Sequence, residues 1–246
     1  MSNLKKLSLA VIVATCLTLF PKPSLAAIFS AASDFATTDN LTGVWRYGWS
    51  PTLGDNFTPY NTRAKFTSTI DFWSQDNMSS SVLATVSHNS TGSIDNSHPT
   101  ITFQPNQLAF HPGANGEYSI IRWIAPETEN YSLAATFTGL DHVGPTTTDV
   151  HVFHNGNLLF SDLINGFGDA SAKSLSTNGI VEAGDIIDFV VGYGSNQTYW
   201  YDTTGLEATI STSPIKKAPE PSTMLGIGLL AGVMTSIRRR GGAKER

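Results

Sequence analysis

Trp45, Tyr47 and Trp49 stand at i, i+2 and i+4, a spacing that in a strand sends all three rings to one face. Exposed, such a row is a stacking platform for pyranose rings, and rings about 6 to 7 Å apart suit a polymer. Buried, the same row is core, the usual place for large aromatics. Tyr199, Trp200 and Tyr201 form a second cluster beside the glycine- and asparagine-bearing stretch 192–197, which reads as a loop at a rim. Neighbouring strand residues face opposite ways, so at least one of these rings is expected to point outward. These six are the candidate ligand contacts.

A glycosidase needs two carboxylates roughly 5 to 10 Å apart. Within residues 27–213 glutamate occurs only at Glu117, Glu127, Glu129, Glu182 and Glu207, and the first four adjoin turn-forming residues. They read as solvated turn residues, and no catalytic residue is nominated. Asp149 and His151 would share a strand face and could share an ion, but His154 would fall on the other face, and Asp141-His142 lies apart. That spacing matches no closed zinc site and reads as an outward polar face. No Gly-x-Ser-x-Gly elbow singles out a serine.

The elements that must hold these residues are strands. Polar turns at 50–62, 74–81, 89–99, 112–117, 139–148 and 165–170 separate short apolar runs, and no internal repeat is evident. Tyr131, Leu133, Ala135 and Phe137 alternate with Ser132, Ala134, Thr136 and Thr138, the period of a half-buried strand. Asn155-Gly156 supplies the positive φ angles of a type I′ hairpin between Val150-Val152 and Leu158-Phe160. Residues 186–193 are apolar on both faces, as in a central strand. No window carries a capped helical repeat. The expected fold is all-β, a two-sheet sandwich over residues 27–213, long enough for one sizeable core.

Charge is unevenly spread. Residues 27–213 hold five lysines and arginines against 18 aspartates and glutamates, a balance of -13, whereas the whole chain is at -5 because both ends are basic. So acidic a domain repels nucleic acid and anionic membrane surfaces. Lys5 and Lys6 precede an apolar run from Leu7 to Phe20, and Ser24-Leu25-Ala26 offers the small residues of a secretory cut. Residues 1–26 therefore read as a signal peptide cleaved between Ala26 and Ala27. The only cysteine, Cys16, leaves with it, and Thr15 before it suits a lipoprotein cleavage box poorly.

At the other end, a linker, 214–222, contains Pro219-Glu220-Pro221. An uncharged run, 223–237, follows, then Arg238, Arg239 and Arg240 at the head of a basic tail, 238–246. Apolar residues ending on arginines read as a short transmembrane helix with a cytoplasmic tail. At about 1.5 Å per residue the run spans roughly 22 Å against a ~30 Å hydrocarbon core. So short a span serves either as an ordinary tail anchor, with snorkelling and local thinning, or as a transient sorting signal.

The order Pro-Glu-Pro, apolar stretch, arginines resembles the tail of PEP-CTERM proteins, the exosortase-sorted secreted proteins of bacteria. That likeness covers 219–246 and implies an exosortase-type enzyme and signal peptidase as partners, inner-membrane anchoring by the C-terminus, and final placement at the cell surface or outside. His111-Pro112-Gly113, Ile121 to Pro126, Asp149 to Val152, Ala183-Gly184-Asp185 and Asp202 to Leu206 resemble galactose-binding-like and carbohydrate-binding-module jelly rolls over roughly 107–210. The tail's likeness implies a setting with extracellular polysaccharide as a partner, and the second resemblance implies at most a structural Ca²⁺ near the meeting of first and last strands, with Asp34 and Asp202 as its ligand candidates. No other cofactor is expected. Three functions follow as alternatives: a non-catalytic polysaccharide-associated surface protein, an extracellular glycan hydrolase or lyase, and a purely structural or adhesive matrix component.

Overall fold

The computed structural model of the protein describes residues 26–75 and 84–215. The Pro-Glu-Pro tail with its arginines, and the signal peptide up to residue 25, lie outside the described residues. Short strands come first: β1 (Ala27–Ser30), β2 (Trp45–Ser50), β3 (Thr58–Pro59), β4 (Thr62–Lys65), β5 (Ile70–Ser74), β6 (Thr85–Asn89) and β7 (Leu108–His111). Longer ones follow: β8 (Tyr118–Ile124), β9 (Glu129–Gly139), β10 (Asp149–His154), β11 (Asn157–Leu163), β12 (Lys173–Val181), β13 (Ile186–Gly192) and β14 (Thr204–Pro214). A single 3-10 turn, Gly168–Ser171, is the only helical piece among the described residues, none of which forms a helix able to cross a membrane.

The strands make two antiparallel sheets packed face to face, the all-β sandwich expected from the sequence. One sheet has eight strands, seven in the order β12-β9-β14-β7-β6-β5-β4 and β1 paired to β14 beside them, and the other six in the order β11-β10-β13-β8-β2-β3. β14 is shared lengthwise: Thr204 to Leu206 pair with β7, while Thr209 to Thr212 pair with β1 on the same edge. Alternation along β9 is realised in full, with Tyr131, Leu133, Ala135 and Phe137 buried and their neighbours turned outward. The β10–β11 hairpin turns on Asn155 (φ 49) and Gly156 (φ 77), as a type I′ turn requires. β13 is central between β10 and β8, which explains apolar residues on both of its faces.

Trp123, Tyr47, Tyr60, Phe110, Phe137 and Phe189 are the largest fully buried side chains. Two polar side chains at its margin are well partnered. Arg122 forms a two-pronged bond to its cross-strand neighbour Asp188 (2.7 and 2.8 Å), and the ring of Phe57 lies 4.1 Å from the guanidinium. Asn40 continues the edge of β2 where β3 ends. Its Nδ2 donates to the carbonyls of Tyr47 (2.6 Å) and Tyr60 (2.8 Å), and its Oδ1 accepts the Tyr47 N–H (2.7 Å). Asn40→Ala would take a partner from each of these groups, the Tyr47 carbonyl keeping only the Tyr60 N–H (2.9 Å), and we expect a loss of about 2 kcal/mol. Urea unfolding should show a lower midpoint at unchanged slope.

Candidate functional site

The two aromatic clusters meet opposite fates. Trp45 (2% exposed) and Tyr47 (0%) point into the core, and Trp49, half-buried, packs against it. The single face expected from their spacing exists, but it is the inner one. Trp45 lies 6.3 Å from Phe189, and Tyr47 lies 4.8 Å from Phe35, with its hydroxyl accepting the Ala36 N–H. Burial pushes the Tyr47 phenol up beyond its ordinary range. As contact rings, Trp45 and Tyr47 are therefore corrected to core.

Tyr199, Trp200 and Tyr201 lie in the loop between β13 and β14, at the rim where β10 begins. They are not on a strand, and two of the three rings face solvent: Trp200 is 61% exposed and Tyr201 40%. The reason is a backbone reversal, since Tyr201 has φ 66 and Gln197 φ 55, a left-handed conformation that bulky residues rarely adopt. Tyr199 stacks beneath Trp200 at 4.9 Å, and His111 meets Tyr199 edge-on at 6.2 Å. The His111 ring donates from Nδ1 to the Pro112 carbonyl, and burial holds its basicity below the ordinary value. Gly144 lies so close under the Tyr201 ring that a Cβ there would strike it.

Side chains of Asp141, Thr147 and Asp149 fasten the loop that carries these rings. The Gly194 N–H bonds Asp149 Oδ1 (2.8 Å), Asn196 Nδ2 reaches Thr147 Oγ1 (2.5 Å), and the Thr203 N–H bonds Asp141 Oδ2 (2.8 Å). Asp202, wholly buried, accepts the Thr147 N–H (2.8 Å) and hydroxyl (3.1 Å) on Oδ1. A loop held this way loses little freedom on binding, which is what pre-organisation contributes to affinity. Val143 (60% exposed) and Phe167 (50%), the latter 6.0 Å from the His142 ring, extend the apolar rim. Sequence reading passed over both. An aromatic between Gly166 and Gly168, and a valine before Gly144, are the signals that could have found them.

The titratable groups are used locally. Asp149 and His151 do share a face, and they bond each other (2.8 Å), while His154 faces Asp185 (3.2 Å). Glu129 is not the solvated turn residue expected: it heads β9, 4% exposed, opposite Val181 and Pro214. Glu117 caps its own turn, accepting from the Asn115 amide and side chain. The calcium pairing of Asp34 with Asp202 also needs correction. Asp34 takes the Ser30 N–H (2.8 Å) and Trp45 Nε1 (3.3 Å), in the cross-strand row of Trp45, Trp123, Ile187 and His154. Asp202 hangs from Thr147, beyond Asp149 at the other end of β10. Strand length separates the two. Among the described residues no cluster of three or more histidines, cysteines or acids could hold a metal.

No family model matches the sequence, and no curated protein does. Solved structures of similar outline include a family 35 carbohydrate binding module from Clostridium thermocellum. It is 11% identical, with 78% of this chain and 100% of that one covered, at a TM-score of 0.29. The CBM51-2 and INT domains of Clostridium perfringens ZmpB in complex with GlcNAc are 15% identical, over 66% of this chain and 44% of that one, at 0.34. A family 35 module from an environmental isolate is 14% identical, over 51% and 90%, at 0.27. Likeness of this degree carries nothing about ligand or activity, so the function must be read from the rim itself.

Proposed function

We propose that this chain is an exported, non-catalytic protein that associates with extracellular polysaccharide through the ring patch at its rim. One observation carries the reading: Trp200 stands 61% exposed on a loop fastened by buried side chains. An exposed ring backed by Tyr199 and followed by the exposed Tyr201 offers a pyranose the flat, electron-rich surface on which its C–H face packs. The acidic balance of the domain favours a neutral polymer over a polyanion. Retention of the protein on insoluble or gel-immobilised polysaccharides, neutral and acidic in parallel, tests this. Binding to a neutral polymer is expected, and no retention on any polymer leaves the reading without a ligand.

The burial of Trp45 and Tyr47 favours a second reading, a structural matrix component acting through shape and charge. That component would show no saturable polysaccharide binding, so the same retention assay separates the two.

Export and sorting rest on the two ends of the chain. The signal peptide is to be cut between Ala26 and Ala27. Pro219, Glu220 and Pro221 are to be read by an exosortase-type enzyme while the segment 223–237 is held in the inner membrane. Replacing the three residues with alanine should strand the protein in the inner-membrane fraction. Fractionation showing unchanged release would remove the sorting claim.

A further inference from the structure

Asp202 is a carboxylate in a place where a negative charge is costly. It has no exposed surface, and only Oδ1 is engaged, by Thr147; Oδ2 is buried with no hydrogen-bond partner. Two other acids act on it, Asp141 from the β9–β10 loop and Asp149 from β10. Asp141 accepts from Thr203 and from the Thr100 hydroxyl, with His98 and His111 within electrostatic reach and His142 beside His98. Asp149 is bonded to His151 and Gly194. Three aspartates thus peg the ring loop 194–203 to the rim, at Gly194, Asp202 and Thr203, and the middle one is the group least able to bear its charge.

We infer that Asp202 is a positioning residue for the rim rings and that its proton operates the ring loop as a latch. With the proton on, Asp202 stays seated beneath Thr147 and the rings are held. With the proton off, the charge on Oδ2 needs water and is repelled by Asp141 and Asp149, and the 194–203 loop loosens. The consequence for ligand rests on the polysaccharide reading above, but the latch itself does not. Burial, set against the lowering effect of the two Thr147 bonds, holds the Asp202 carboxyl up from 3.8 to about 7, and the two aspartates add to the rise. Because the seated form binds the proton more tightly than the loosened one, seating is fully favoured below about pH 4. It is lost as pH rises through about 7 and changes no further above that. Asp149 does not titrate in this window: burial raises it, but the His151 and Gly194 bonds outweigh that and keep it below the usual carboxylate range.

Amide hydrogen exchange of the full chain between pH 5 and 8 tests the latch without any ligand. After correction for the intrinsic pH dependence of exchange, protection at the Thr147 amide should fall at least tenfold, with Trp200 emission changing over the same range. Asp202→Asn, which keeps the Thr147 contact but cannot ionise, should give a flat profile. Asp141→Asn should keep the profile and move its midpoint to lower pH. A flat wild-type profile would overturn the latch. So would an Asp202→Asn profile that follows the wild type, or a profile abolished by chelator, which would make Oδ2 a cation ligand instead. If Asp202→Asn fails to fold, the wild-type and Asp141→Asn profiles still decide. Loss of polysaccharide retention at every pH with the latch intact would count against the ligand alone.

Discussion

Trp45→Ala is expected to destabilise the protein by about 3 to 5 kcal/mol, the range for emptying a large aromatic site in a packed core. The indole is 2% exposed, lies 6.3 Å from Phe189 and donates from Nε1 to Asp34, which in turn holds the Ser30 amide. Its loss opens a cavity between the six-stranded sheet and the turn after β1, and leaves the Asp34 carboxylate short of one partner. For a domain of this size such a loss should lower the melting temperature by roughly 10 °C or more. Any fall in polysaccharide retention should track the unfolded fraction. A variant as stable as the parent that no longer binds would return Trp45 to the list of contacts.

Trp200→Ala should do the reverse. Here the ring is 61% exposed and no core residue leans on it, so stability should stay within about 0.5 kcal/mol of the parent. Binding should suffer, because a pre-positioned aromatic is the kind of anchor that dominates an interface, at about 2 kcal/mol or more. By the usual conversion that is a loss of more than tenfold in affinity. Tyr201, less exposed and held in a left-handed backbone, should contribute less by its ring and more by its shape. Binding isotherms for parent and variant on one polymer, with melting curves on the same samples, separate the contact role from any indirect one. Equal affinities would remove the rim as the binding surface.

These opposite outcomes mark how far the sequence could be read. A period of two in Trp45, Tyr47 and Trp49 reveals that the rings share a face but not which face, because both surfaces of a strand are available until its partner sheet is known. Packing against Phe189 and Phe35 decides it, and those contacts are remote in sequence. β9 was legible because its outward side is consistently polar or small. β12 was not, since Ser174, Ser176 and Asn178 on one side and Leu175, Thr177 and Gly179 on the other give an edge strand little apolar contrast. β3 falls inside the 50–62 stretch read as turn, where two residues suffice to cap β2.

At the rim, the glycines and asparagines of 192–197 announced a loop. They could not announce that Asp141, Asp149 and Asp202, from three separated segments, would fasten it. Asp34 misled for the same reason: an acid near the first strand looks available for an ion until Trp45 and the Ser30 amide are seen to occupy it.

Gel-affinity electrophoresis bears most directly on the whole account. The protein should migrate more slowly through gels containing a neutral polysaccharide, in proportion to polymer concentration, and Trp200→Ala should migrate as it does in polymer-free gel. Identical mobility of the parent protein with and without every polymer would contradict it.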